Sequence, residues 1–450
     1  MNYRTLRVLW KYAREVRSLF RLSLPIMAGL VGQTLMGIAD TVMVGQVGVI
    51  PLAASSLVIN LFHLPMVFGF GMLTSVSVLS ANAFGANDPI QVGRVYRASA
   101  VLALATSALL VVIFMAFRWM LPFLGQAPEV VDAAGGYLWF LAPSLLPMLL
   151  GLAGKQFCEA LNHPWIPTLL MIGGVLLNIL FNWMLIYGHL GCPAMGLNGA
   201  GLATLLARVV TAAAMIAWLL RSKSLARFRQ GSWSGAGDLP VLLKLFKLGL
   251  PVSLQHLLEM GSFAFAALML GWIGANALAA HQIAFTCAST TFMFSLSLGM
   301  AASVRVGQVL GAGLKRRVRR IGLVSLMTAV VLMTAFGCLF FFGGRTMAAW
   351  FVESKEVQDL AVQLLMVAAI FQVFDGLQVT AISILRGMED VRVPAIVAIV
   401  AYWLLAMPMA CMLAFYYQHG ALGIWIGLAV GLGVAAFCLT FRFYFKTKVR

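Results

Sequence analysis

The stretch SLPIMAGLVGQTLMGIADTVMVGQVG, residues 23–48, carries one ionisable side chain, Asp40, in an otherwise uncharged run. At a rise of ~1.5 Å per residue, such a run crosses the ~30 Å hydrocarbon layer of a bilayer as a helix. Read outward from it, apolar runs bounded by Gly, Pro or charge recur along the chain. They give twelve candidate spans at roughly 22–46, 51–84, 93–118, 131–155, 165–188, 195–220, 245–271, 276–310, 320–342, 357–385, 393–416 and 421–444. Of the 450 residues, 62% are apolar or aromatic and 10% are charged, against about 45–50% and about 25% in soluble domains. A soluble multidomain enzyme and a disordered chain are both excluded by that balance. The expectation is an all-α integral membrane protein with twelve transmembrane helices.

The 31 Lys and Arg against 14 Asp and Glu, a net charge of +17, would suit a nucleic-acid partner if the bases were spread over one surface. They are instead grouped between the apolar runs: Arg4 to Arg21, Arg221 to Lys247, Lys315 to Arg320, and Arg442 to Arg450. With the N-terminus inside, 26 of the 31 bases fall in the tails and cytoplasmic connections, as the positive-inside rule requires. Both termini are therefore expected in the cytoplasm. The excess charge reads as topology and attraction to anionic membrane lipid, with no nucleic acid. Residues 1–21 read as a basic amphipathic lead-in without a cleavage pattern. The six cysteines show no CxxC spacing and read as lone thiols.

Displaced by 226 positions, residues 24–94 align with 250–320 without a gap and 15 of the 71 positions match. The matches include Pro25/Pro251, Gly45/Gly271, Gly48/Gly274, Gly85/Gly311, Arg94/Arg320 and the LAA triplets at 52–54 and 278–280. The repeat spans six helices, an even number, so both copies enter the membrane in the same sense. Two six-helix bundles, 22–220 and 245–444, are expected, related by a pseudo-twofold axis along the membrane normal. A cytoplasmic linker at 221–244, with GSWSGAG at 231–237, would join them, and 445–450 would form a tail.

Three acids lie inside spans and away from their ends: Asp40, Glu259 and Asp375. A charge there costs about 2.5–3.5 kcal/mol on insertion scales, so each is a functional candidate. Counting ~1.5 Å per residue from the nearest cytoplasmic base puts Glu259 about 18 Å deep and Asp375 about 16 Å deep. Gln255 and Glu259 share a helix face, as do Gln372, Asp375 and Gln378, and His256 stands three residues before Glu259. In the first half, Asp40, Asn182 and Thr204 reach a common level about 26–28 Å deep, and Asn178 faces the same way as Asn182. Carboxylates with amide and hydroxyl oxygens suit Na⁺ or hold a proton, and the same negative, apolar-walled cavity suits a lipophilic organic cation. The bland reading is that a buried acid caps a helix or neutralises a base, and Arg208, one turn from Thr204, is within reach of Asp40.

These residues resemble the MATE family (multidrug and toxic compound extrusion), in particular its NorM-like branch. The quoted stretch at 23–48 is similar to the family's first-span signature, and GLPVSLQHLLE at 249–259 to its span-7 motif. FQVFDGLQ at 371–378 with LRGMED at 385–390, LAAHQIA at 278–284 with SVRVGQVLGAG at 303–313, and NILFN at 178–182 resemble its span-10, span-8 and span-5 patterns. The resemblance covers essentially the whole chain. It implies a V-shaped pair of bundles in a bacterial inner membrane, working as a single chain by alternating access. It also implies export of cationic amphipathic compounds in exchange for Na⁺ or H⁺, with no cofactor and no enzymatic activity. Carried over, Glu259, Asp375, Gln255 and Gln378 would hold the coupling cation, with His256, Gln282 and Phe371 around them. Asp40, Asn178, Asn182 and Thr204 would form the N-terminal-half site. Phe371 stands where some relatives carry a cation-coordinating Tyr, and Arg208 has no place in the pattern. The alternatives are a lipid-linked oligosaccharide flippase of the same wider superfamily, whose anionic substrate calls for intramembrane bases, and an intramembrane prenyl or glycosyl transferase, for which no DxxxD or HExxH motif is present.

Overall fold

A computed structural model describes residues 3–228 and 238–448; the GSWSGAG stretch of the expected linker lies outside them. The described residues form helices and connecting turns, with no strand among them. The first half comprises α1 (Tyr3–Gly45), α2 (Val49–Gly85), α3 (Pro89–Met120), α4 (Pro128–Leu141), α5 (Leu145–Ala160), α6 (Trp165–Tyr187) and α7 (Gly196–Arg221). The second comprises α8 (Leu239–Ile273), α9 (Ala275–Gly311), α10 (Lys315–Phe351), α11 (Lys355–Gly387), α12 (Arg392–Ile399), α13 (Met407–Cys411) and α14 (Gly420–Lys446). Eleven of the spans are single helical runs, and α4 with α5 makes a twelfth, bent by 44°. The chain is a multi-pass membrane protein.

Three local departures have physical causes. The expected span at 131–155 is broken, because Pro143 has no N–H to continue the helical ladder; Ser144 Oγ returns to Leu141 O at 2.6 Å at the bend. The amphipathic lead-in is not separate from the first span: α1 runs unbroken through Pro25. In the eleventh span, Val400–Ala406 and Met412–Tyr416 are π-helical, flanking α13. The wider i→i+5 turns re-aim side chains and often mark functional positions.

The repeat explains its own glycines. Gly48 and Gly274, one repeat apart, precede α2 and α9 with φ of 151° and 150°, a backbone region that a Cβ disfavours. Asn87 and Gly313, also one repeat apart, follow α2 and α9 at φ 56° and 74°, the left-handed stop usual after a helix.

By its contacts the chain forms two compact units, one of residues up to Met27 together with Leu254 onward, the other Ala28–Ser253. The boundaries between these units fall within α1 and α8. In the unit that begins again at Leu254, a core of small and aromatic side chains lies among α8, α9, α11 and α14. Gly423, Gly427 and Gly431 line one face of α14, where an added Cβ would meet the backbone of Leu413–Ala414, Ala410 and Ala401/Ala406. Small residues at four-residue spacing let helix backbones approach closely in a membrane. Outward faces carry large apolar side chains, such as Met327, Val331 and Phe342 on α10 and Phe437 and Phe441 on α14, which water would not tolerate as a continuous patch.

Acid–base pairs fasten the helix ends. Glu15 on α1 is buried among Arg305, Arg317 and Arg320 at 3.1, 2.8 and 3.2 Å. Asp238, just before α8, pairs with Arg97 at 2.8 Å. Asp390, in the α11–α12 turn, pairs with Arg442 at 2.7 Å and Lys446 at 2.9 Å. Burial alone would raise the Asp390 carboxyl, but hydrogen bonds and charge from Arg442 and Lys446 hold it below the usual carboxylate range.

Candidate functional site

In the unit formed by Ala28–Ser253, α1, α6 and α7 bring four polar side chains into one line. Asn182 Nδ2 donates to Asp40 Oδ1 at 2.6 Å and to Asn178 Oδ1 at 3.3 Å. Asn178 Nδ2 donates in turn to Thr204 Oγ1 at 3.3 Å. Asn178 and Asn182 are fully buried, one turn apart on α6, so the i,i+4 spacing decides which face meets Asp40. Asp40 keeps partial exposure and has a second carboxylate oxygen to offer. Arg208 does not sit on it: its Nη1 donates to Ser144 Oγ at 2.6 Å and its guanidinium lies 5.0 Å from the Phe62 ring centre. Among the described residues no hydrogen bond or ion pair joins Arg208 to Asp40, although Asp40 feels its charge.

In the other unit, Glu259 on α8 and Asp375 on α11 lie within electrostatic reach of one another. Tyr402, from the first π-helical stretch, donates to Glu259 Oε1 at 3.0 Å. His256 Nδ1 stands 3.8 Å from Glu259 Oε2. The next residue of the π-turn, Trp403, donates Nε1 to Leu258 O at 3.0 Å, locking the turn onto α8. Gln255, Leu258, Glu259, Ala398, Ile399, Tyr402 and Trp403 line a small pocket. Asp375 is buried, and no hydrogen bond reaches its carboxylate from the described residues. Gln378 is fully buried, and among the described residues neither end of its amide has a partner, an arrangement rare in the absence of a ligand or water. Gln372, on the same face, donates to Thr291 Oγ1. Two carboxylates plus unpartnered amide oxygen make a donor set for a small hard cation or a proton.

The two remaining sequence candidates fall elsewhere. Gln282 is exposed, because the ~100° step along α9 turns its neighbour His281 inward, onto Trp425 and Phe285 at 5.7 and 5.5 Å. Phe371 is buried in that aromatic cluster, 5.8 Å from Trp425 and 6.4 Å from Phe263, and contributes packing but no oxygen. The hydroxyl that meets Glu259 comes from Tyr402, which sequence reading missed. Two buried bases were also missed, because both read as loop charges. Arg386, near the end of α11, donates Nη2 to Gln255 Oε1 at 3.1 Å. Lys155 is buried on α5, 3.6 Å from an equally buried Glu159.

A model of the MatE family matches residues 25–184 and again 251–412, so its two matches begin at the two repeat prolines. A probable multidrug resistance protein NorM of Mesorhizobium japonicum is 34% identical over 98% of this chain and 96% of its own length. A protein of the same description from Bradyrhizobium diazoefficiens is 35% identical over 96% and 93%. Among solved structures, a mutant MATE transporter of Vibrio cholerae superposes with a TM-score of 0.87 over 97% of both chains, at 18% identity.

Proposed function

Because the chain belongs to the MATE family, we propose that it exports cationic, amphipathic compounds in exchange for Na⁺ or H⁺ by alternating access. The observation that carries this reading is the Glu259–Asp375 pair: a half-buried acid on α8 and a buried acid on α11 within electrostatic reach of one another, the second with no donor among the described residues, beside an unpartnered Gln378 amide. Such a pair binds a cation strongly once it is deprotonated. When the site faces outward, the coupling cation binds there and drives release of the drug; when it faces inward, the cation leaves and drug enters. Each ligand shifts the same conformational equilibrium, so drug and cation compete. Tyr402 holds Glu259 in place and Gln378 completes the oxygen set, whereas the Gln255 amide oxygen, expected there from the sequence, is taken by Arg386. In the other unit, Asp40 with Asn178, Asn182 and Thr204 offers a second negative, hydrogen-bonded surface for cation or drug. In this reading both termini are cytoplasmic, the membrane is the inner membrane of a bacterium, and one chain suffices. The relatives are named multidrug resistance proteins and the superposing structure a MATE transporter, which supports transport over an intramembrane transferase. The two acids at the site, with the nearby Arg386 engaged by Gln255, speak against an anionic, lipid-linked oligosaccharide as substrate.

Ethidium efflux in everted vesicles, with Na⁺ and pH gradients imposed separately, tests the proposal. One gradient is expected to drive efflux, and Glu259→Gln and Asp375→Asn are each expected to abolish it with unchanged membrane expression. Full gradient-driven efflux by the Asp375→Asn protein would overturn the reading.

A further inference from the structure

Arg386 is fully enclosed although it stands one residue from the end of α11. Its guanidinium is anchored by donation to Gln255 Oε1 at 3.1 Å, and its Nε has no partner among the described residues. A cationic side chain this close to a helix end normally reaches water; this one is turned into the protein. Gln255 lies one turn of α8, about 6 Å of rise, from Glu259, on the side of the α11–α12 connection. Arg386 and Glu259 feel one another's charge, and His256, between them, feels Arg386. Asp375 lies on α11 eleven residues before Arg386 and feels the charge of Glu259. Arg386 on Gln255 is thus one turn of α8 from Glu259, which carries His256 and Tyr402 beside it.

The other unit repeats the arrangement. The 226-residue repeat pairs Gln255 with Gly29. An ideal Cβ on Gly29 would lie 3.9 Å from the Lys155 ammonium. In both units the fourth span therefore delivers a buried cation to the same repeat position of the first span. In one it is balanced by Glu159 at 3.6 Å; in the other it faces the carboxylate site.

We propose that Arg386, held by Gln255, is a fixed positive barrier that keeps cations from leaking between the Glu259–Asp375 site and the cytoplasm through the interior of this unit. The proposal rests on the cation-site reading and orientation given above. A cation leaving Glu259 along the helix axes meets a like charge about one helical turn on, in a medium that screens poorly, the same device by which a pore arginine excludes cations. Exchange is thereby confined to the route that opens with the conformational change, which is what coupling requires. Lys155, already neutralised, has no comparable part.

The test is substrate-free cation leak in proteoliposomes, read as ²²Na⁺ uptake and as collapse of an imposed pH gradient. Wild-type protein is expected to be tight. Arg386→Gln is expected to raise the leak of one of the two ions on the order of tenfold, Arg386→Lys to stay tight because the charge remains, and Arg386→Gln with Glu259→Gln to lose the leak because its path runs through the site. A folded Arg386→Gln protein as tight as wild type would overturn the proposal, as would a leak that survives the second substitution. Failure of the coupling reading appears separately, as wild-type efflux that neither gradient drives.

Discussion

Glu259 sits where an uncompensated charge is expensive, and what holds it is a hydroxyl 143 positions away in the chain, that of Tyr402. Removing that donor alone leaves a buried acceptor unmet, at about 1–3 kcal/mol. Tyr402→Phe is therefore expected to reduce gradient-driven ethidium efflux about tenfold or more, at normal expression; an unaltered efflux rate in vesicles would show that the hydroxyl is dispensable. At this scale the sequence spoke clearly wherever depth and helical spacing decide the contact. Asp40, Asn178, Asn182 and Thr204 form the hydrogen-bonded line that their common depth implied. It was silent on Tyr402, a lone aromatic in an apolar run, because nothing in its local pattern says which distant helix it faces. Gln282 and His281 part company for a related reason: a motif names adjacent residues, but a helix turns them about 100° apart, so His281 is buried while Gln282 is exposed.

At the scale of elements, twelve apolar runs were legible because length and uncharged composition are all that spanning demands. Hydrogen-bond register is not written in composition, so the bend between α4 and α5 and the π-helical turns around α13 emerged only in three dimensions. These turns pack against the glycine face of α14, where Gly427 leaves no room: its added Cβ would lie 2.5 Å from Ala410 N and 2.6 Å from Ala410 Cα. A backbone cannot step aside as a flexible side chain does. Gly427→Val is expected to destabilise the purified protein by about 1–3 kcal/mol, seen as a lower melting temperature in detergent; the same substitution at Gly271, whose added Cβ meets nothing within 4 Å, serves as the control. Because Tyr402 and Trp403 project from the same span, the Gly427 variant is also expected to lose efflux out of proportion to its loss of folded protein.

At the scale of the whole molecule, the repeat was visible as shared Pro and Gly positions, and the family's two matches start at the same two prolines. Composition marked a joint at 221–244, yet contacts divide the chain at Met27/Ala28 and Ser253/Leu254. Each division falls two residues past a repeat proline, Pro25 or Pro251. Linkers are conspicuous in a sequence, whereas contact partners are not. The first turns of α1 belong with the later unit, fastened there by Glu15. The first turns of α8 belong with the earlier one, beside the pairing of Asp238 with Arg97. A chain cut within 229–237 is accordingly expected to accumulate as a folded complex only when both fragments are co-expressed, with either fragment alone degraded. Stable accumulation of residues 1–228 by themselves, judged by size-exclusion chromatography, would contradict this.

That exchange of leading segments bears on how such a chain arises. In a swapped pair each protomer's leading segment packs on the other, since an identical copy offers the surface that the lead requires. Joining two copies end to end turns a partnership between molecules into a covalent one and fixes the stoichiometry. Once joined, the copies are free to diverge. One keeps Glu259 facing an unbalanced Arg386, while the other, at the same repeat position, closes its charge account with Lys155 and Glu159.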